Sequence, residues 1–149
     1  LLLYVDYKRP IDETDVNELV SANVSVSVFA MIDDLVAGNA KSALAKLHQL
    51  AEDEEVIGLL AMIIRQFRLL IQAREILDEG GDGRMIAKEL DQIDFVANKL
   101  ATQARAFSME RLKELFRELT AIDRGMKSSA ADPMTALDLL IVSVAGRKK

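Results

Sequence analysis

An all-α bundle of about seven helices, preceded by a short helical N-terminal piece, is the fold this sequence predicts. Composition is the first reason. Of 149 residues, 50% are hydrophobic but only 5% aromatic, with 7 Gly and 2 Pro. A chain rich in Ala, Leu, Ile and Met favours packed helices over sheets. Periodicity is the second reason. Leu112, Leu115, Phe116, Leu119, Ile122 and Met126 recur at the spacing of one helical face. Punctuation is the third: Gly38-Asn39, residues 79–83 and Asp132-Pro133 fall between periodic runs.

In chain order, residues 1–7 read as a helix end, stopped at Lys8-Arg9-Pro10 because proline disfavours helix at the residue before it. Asp12 then caps a short helix, with Glu13 and Asp15 at the positive end of its dipole and Val16, Leu19 and Val20 as its stripe. Val24, Val26 and Val28 alternate with Ser25 and Ser27, a strand pattern with no second strand to pair with. Residues 21–27 are therefore expected to be an extended linker. Ser27 is expected to cap a helix over 28–37, and Gly38 to end it at the C′ position. A helix over 40–52 follows, with Ala43, Leu44, Leu47 and Leu50 on one face. Residues 55–78 form a long apolar helix, broken by the Gly-rich run 79–83. Short helices are expected over 84–90 and 95–107, the second with Val96, Leu100 and Ala104 in register. Ser108 caps the long helix that carries Leu112 to Met126. Residues 128–131 form a loop, and Asp132 with Pro133 starts a very apolar last helix to about residue 145. Residues 146–149 are a solvated tail. No fixed-period repeat is visible, which argues against a solenoid.

The totals exclude several classes. A net charge of −5 gives no overall attraction for nucleic acid. With 0 Cys there is no disulfide, thiol nucleophile or thiolate metal site. Leu1 to Val5 is apolar but lacks the flanks of a signal peptide. The sequence starts without Met, in what reads as the last turns of a helix, so a piece of a longer protein is expected. No membrane span is expected either, because Arg65 and Arg68 would each cost about 3 kcal/mol at a bilayer centre.

Residues 58–72 are the most informative stretch. They are apolar almost throughout, yet carry Arg65, Gln66 and Arg68 at their centre. A helix apolar nearly all round is buried in a core or a subunit contact. Arg65, Gln66, Arg68 and Arg74 are therefore the expected assembly surface, and Asp123 and Lys127 are expected to pair within the chain. The lone histidine, His48, has no nucleophile or orienting acid in its neighbourhood and reads as structural. Asp78, Asp82, Gly83 and Glu89 fit parts of a calcium-loop spacing, but Gly80 and Ile86 stand where ligands belong. Residues 84–100 resemble a helix-turn-helix, with Ala87 at the tight-packing position and Asp91 at the turn. In that alternative reading the chain is a DNA-binding regulator, with Asn98, Lys99, Gln103 and Arg105 facing DNA. Residues 80–84 lack the Gly-Lys-Ser/Thr ending of a phosphate-binding loop, and no cofactor is implied.

Four segments together resemble the C-terminal part of the bacterial DNA polymerase III delta subunit. Residues 10–16 (PIDETDV) are similar to the family's PITEEDV joint. Residues 28–35 (VFAMIDDL), then Gly38-Asn39 and Ala43-Leu44, are similar to FALVDALLEGN…AL. Residues 61–72 are close to LARQFRLLLQ, and Asp123, Lys127-Ser128, Asp132-Pro133 and Ala136-Leu137 to the family's ending. The family tends to show IAKxLGLHPFVVKK in the helix-turn-helix-like segment, from which Asp91, Gln92, Ile93 and Asp94 depart. The resemblance implies residues 1–23 as the end of an AAA+ lid domain and 24–149 as a helical collar. It implies a non-catalytic role: packing beside the collars of gamma/tau and delta-prime type subunits in the cytoplasmic clamp loader. Contact with the sliding clamp would belong to an N-terminal domain absent from this sequence, and primed DNA would be met by the full complex. Polymerase chemistry would lie in other subunits.

Overall fold

A computed structural model describes residues 27–128 and 132–146, the side chains of 126–128 excepted. The expectations for residues 1–26, for 129–131 and for the tail 147–149 lie outside the described residues. Among the described residues there are seven helices and no strand: α1 (residues 27–37), α2 (Ala40–Asp53), α3 (Val56–Asp78), α4 (Gly83–Glu89), α5 (Asp94–Arg105), α6 (Met109–Ser128) and α7 (Pro133–Gly146).

Local chemistry sets the ends. Gly38 is left-handed at φ +78, and Asn39 N–H donates to the Asp34 carbonyl at 2.9 Å, closing α1 as a Schellman motif. Asn39 also starts α2, its Oδ1 accepting from Ser42 N–H at 3.2 Å. Gly80 at φ +90 repeats the motif after α3, with Gly81 N–H donating to the Ile76 carbonyl at 2.8 Å. A Cβ on Gly81 would stand 2.9 Å from that same carbonyl oxygen, so the closure needs glycine. Asp82, Ser108 and Asp132 cap α4, α6 and α7 by accepting from backbone N–H groups. The bonds that Asp132 accepts, first from the Thr135 hydroxyl and then from backbone N–H groups, hold its carboxyl below the usual range.

Two ends differ from the sequence expectation. Ser27 lies within α1 instead of capping it, because Val28, Met31, Ile32 and Leu35 bury as one helical stripe. The strand-like valine alternation is thus overridden at Val28 by burial at helical spacing. Helix α5 ends at Arg105 rather than Phe107, and the chain turns so that Phe107 meets Phe67 edge-on, ring centroids 6.5 Å apart.

Helix α3 is the central strut. It packs on α5 and α6 and touches α2 and α4, while α4 pairs with α5, and α7 lies on α2 and α6. Leu59, Leu60, Ile63, Phe67 and Leu70 bury the inner face of α3. Each contributes roughly 1.5–3 kcal/mol over leaving it in water. By length and composition alone α3 is long and apolar enough to cross a membrane. Its packing is that of a core helix, with one face inside the bundle and a polar outer face carrying Arg65, Arg68, Gln72 and Glu75.

Helix α1 is held by polar contacts on both sides. Toward α2, Asp34 accepts from Ser42 Oγ at 2.7 Å and Lys46 Nζ at 2.5 Å. Burial works against the charge on Asp34. The hydrogen bonds from Lys46 and Ser42 and the lysine's charge outweigh it and hold the carboxyl below its usual range. Toward α5, Gln103 Nε2 donates to the Phe29 carbonyl at 2.9 Å and to Asp33 Oδ1 at 2.8 Å, and Lys99 Nζ reaches Asp33 Oδ2 at 2.6 Å.

Candidate functional site

Two hollows bordered by the described residues bear on a site. An apolar void of about 20 Å³ lies between α1, α3, α6 and α7, lined by Met31, Phe67, Leu115 and Leu137. It offers no polar partner for a water, so nothing there can hold a ligand or a reacting group. An open groove of about 190 Å³ runs between α1 and α2, lined by Ser27, Gln49, Asp53 and Lys46, and its one cation, Lys46, is already engaged by Asp34. The site must therefore be sought on the surface.

The four expected assembly residues of α3 divide into two pairs. Arg65 and Arg68 are exposed, and the Arg68 guanidinium sits 5.6 Å from the centre of the Phe116 ring on α6. Gln66 is buried in the protein's own interior, on the opposite side of the helix. Arg74 is half-buried and spent on the fold. Its Nη1 donates to the Ala104 and Phe107 carbonyls at 3.2 and 3.1 Å, and its Nε lies 3.2 Å from Asp78 Oδ1. A guanidinium at the C-terminal end of α5 meets the negative end of that helix. The adjacency of Arg65, Gln66 and Arg68 in sequence hides a half-turn of helix between them.

The helix-turn-helix candidates fare likewise. The segment does fold as two packed helices, with Ile86 and Leu100 buried and Asp91 left-handed at φ +52. Gln103, however, is 1% exposed and Lys99 is paired with Asp33. This corrects the expectation that both face DNA: α1 covers that edge of α5. Asn98 and Arg105 are exposed, and Lys99 is partly exposed beside Asp33. The partial calcium loop is not assembled. Asp82 accepts from the N–H groups of Arg84 and Met85, Asp78 pairs with Arg74, and no metal-holding cluster occurs among the described residues. His48, half exposed, sets Nε2 2.8 Å from Asp138 Oδ1, tying α2 to α7.

Sequence reasoning passed over two surface features. One is apolar: Ile93 is 70% and Phe95 63% exposed at the α4–α5 elbow, beside exposed Met85. The other is Lys113 and Arg117 on α6, exposed on either side of Phe116 in sequence. The signal for the second was present, since Lys113 and Arg117 stand four residues apart on one face of α6. The exposed apolar surface expected on the long and last helices is found at Ile57 on α3 and at Leu139 and Val142 on α7.

The profile of the family described as DNA polymerase III delta subunit, C-terminal domain, matches residues 25–144. The chain belongs to this family. The chain is also similar to the DNA polymerase III subunit delta of Bacillus subtilis (strain 168). They are 27% identical over 150 residues, covering 100% of this chain and 43% of that protein. A solved structure of a Bacillus subtilis DNA clamp loader delta protein superposes with a TM-score of 0.78 at 27% identity, over 97% of this chain and 43% of that one. This delta C-terminal domain thus spans less than half the length of the relatives it matches.

Proposed function

We propose that this delta C-terminal domain is a non-catalytic collar unit of a clamp loader. It packs beside the collars of gamma/tau and delta-prime type subunits and keeps their motor domains in register while the complex places a sliding clamp on primed DNA. In this reading residues 24–149 form the collar and 1–23 end a lid domain. Gripping the clamp falls to a further domain of the delta subunit, and the place of work is cytoplasmic. The observation that carries the reading is the apolar surface left open at separate places on the bundle, Ile93 and Phe95 at the α4–α5 elbow and Leu139 and Val142 on α7. Subunit interfaces hold such residues at their cores. Arg65 and Arg68 are the two expected assembly residues that the fold leaves free for a partner, whereas Gln66 and Arg74 would act only by supporting α3.

The test is assembly. The chain is mixed with gamma/tau and delta-prime type subunits and followed by gel filtration with light scattering. Co-elution in a defined stoichiometry is expected, and it should weaken when Leu139→Asp or Phe95→Asp places a charge at an apolar contact. A chain that elutes alone with every loader subunit would remove the collar reading.

A further inference from the structure

We infer that the outer face of α3, together with the adjoining edge of α6, is a docking strip for a compact acidic patch on a neighbouring clamp-loader subunit. The inference rests on the collar reading above and names the chemistry of the partner at Arg65 and Arg68.

Charge segregation is the first ground. Arg65, Arg68, Lys113 and Arg117 are exposed, and among the described residues none of the four pairs with a carboxylate. Lys46, Lys99, Arg74 and Arg111 are paired with carboxylates, and exposed Lys41, Arg84, Lys88, Arg105 and Arg124 are unpaired like these four; what sets the four apart is that two neighbouring helices bring them together. The contact between Arg68 and the Phe116 ring joins the two helices here, and it places Arg68 next to the turn of α6 that carries Lys113 and Arg117. Four uncompensated cations thus gather on a chain whose net charge is −5.

The borders of the strip choose the partner. Up the same outer face of α3, the exposed residues are Ile57 and Ala61; down it, they are Gln72, Glu75 and Glu79. On α6, exposed Glu110 and Glu114 lie one turn before Lys113 and Arg117, and Glu118 emerges farther round the helix. A nucleic-acid backbone running along either helix would leave the cations within about two turns and meet carboxylates. A compact acidic patch fits the space and can also cover Ile57. Arginine beside exposed apolar side chains is the composition of a protein interface. Phe116 fixes the Arg68 guanidinium in advance, which lowers the ordering cost of docking.

The experiment measures assembly of this chain with the gamma/tau and delta-prime type subunits at several salt concentrations. The chain is tested as wild type, as Arg65→Glu/Arg68→Glu, and as Lys41→Glu/Lys88→Glu, the same charge change at exposed sites on α2 and α4. Thermal melting checks that each variant folds. The expected result is at least about a tenfold weakening for the α3 variant and less than about twofold for the control, with a wild-type affinity that falls as salt rises. Wild-type assembly that the α3 variant leaves unchanged overturns the strip while the collar reading stands. Failure of the wild type to bind any loader subunit overturns the collar reading and the strip with it. In parallel, fluorescent single-stranded and duplex oligonucleotides are titrated. Binding that Arg65→Glu/Arg68→Glu abolishes would reassign the strip to phosphate and overturn the protein partner.

Discussion

Helices α3 and α5 both carry cations and amides among apolar residues, and the fold treats them in opposite ways. On α5, Lys99 and Gln103 are taken up by α1: they bind Asp33 and the Phe29 carbonyl, and Gln103 disappears into the interior. On α3, Arg65 and Arg68 stay outside, and the Arg68 guanidinium lies against an aromatic face. The difference lies not in residue type but in what lies over each edge. Helix α1 covers one side of α5, whereas no described element covers the outer face of α3. A polar residue on an amphipathic helix thus becomes internal glue or an open contact according to its neighbour.

The largest effect expected along this comparison lies on the inner face of α3. Leu70→Ala removes a side chain that is 0% exposed. It should cost about 2–5 kcal/mol in urea unfolding, while Arg65→Ala on the outer face should stay within about 0.5 kcal/mol. Equal losses at the two sites would erase the distinction between strut and open face.

Next comes the α1–α5 latch. Gln103→Ala strips two hydrogen bonds from α1 and leaves the buried Phe29 carbonyl without this donor. A loss of about 1–3 kcal/mol is expected, against almost none for exposed Arg105→Ala. Should both variants melt together with wild type, Gln103 would not be holding α1.

A smaller effect tests the other side of α1. The carboxyl of Asp34 lies below its ordinary value of 3.8, so the stability it adds is complete above that value and is lost as pH falls through the folded-state pKa. Wild type should exceed Asp34→Asn in melting temperature near neutrality, and the gap should close in strong acid. A gap that stays constant into strong acid would break this account. Smallest of all, Arg68→Ala should change stability by about 0.5–1 kcal/mol, the worth of an exposed cation–π contact. A several-fold larger loss would mean that Arg68 serves the fold rather than a partner.

Much of this architecture was legible. The C-cap at Gly38, the Gly-rich break at residues 79–83, and the caps at Ser108 and Asp132 are local chemistry, and local chemistry is written in local residues. The long apolar run gave α3 its bounds to within a residue. The functional surface was less legible. Arg65, Gln66, Arg68 and Arg74 look like one group in sequence, yet helical geometry and the position of α5 distribute them between surface, core and a helix terminus. The uptake of Lys99 and Gln103 by Asp33 and Phe29, some 70 positions earlier in the chain, leaves no local trace.

By itself, then, the sequence determined the helices, their order and their ends, because hydrogen bonds and caps within a helix link residues no more than about a turn apart. Tertiary structure alone decided which charges would be spent inside. A side chain's burial depends on the element that lands on it, and in this bundle α1 came to rest on α5 while the outer face of α3 was left uncovered by every described element.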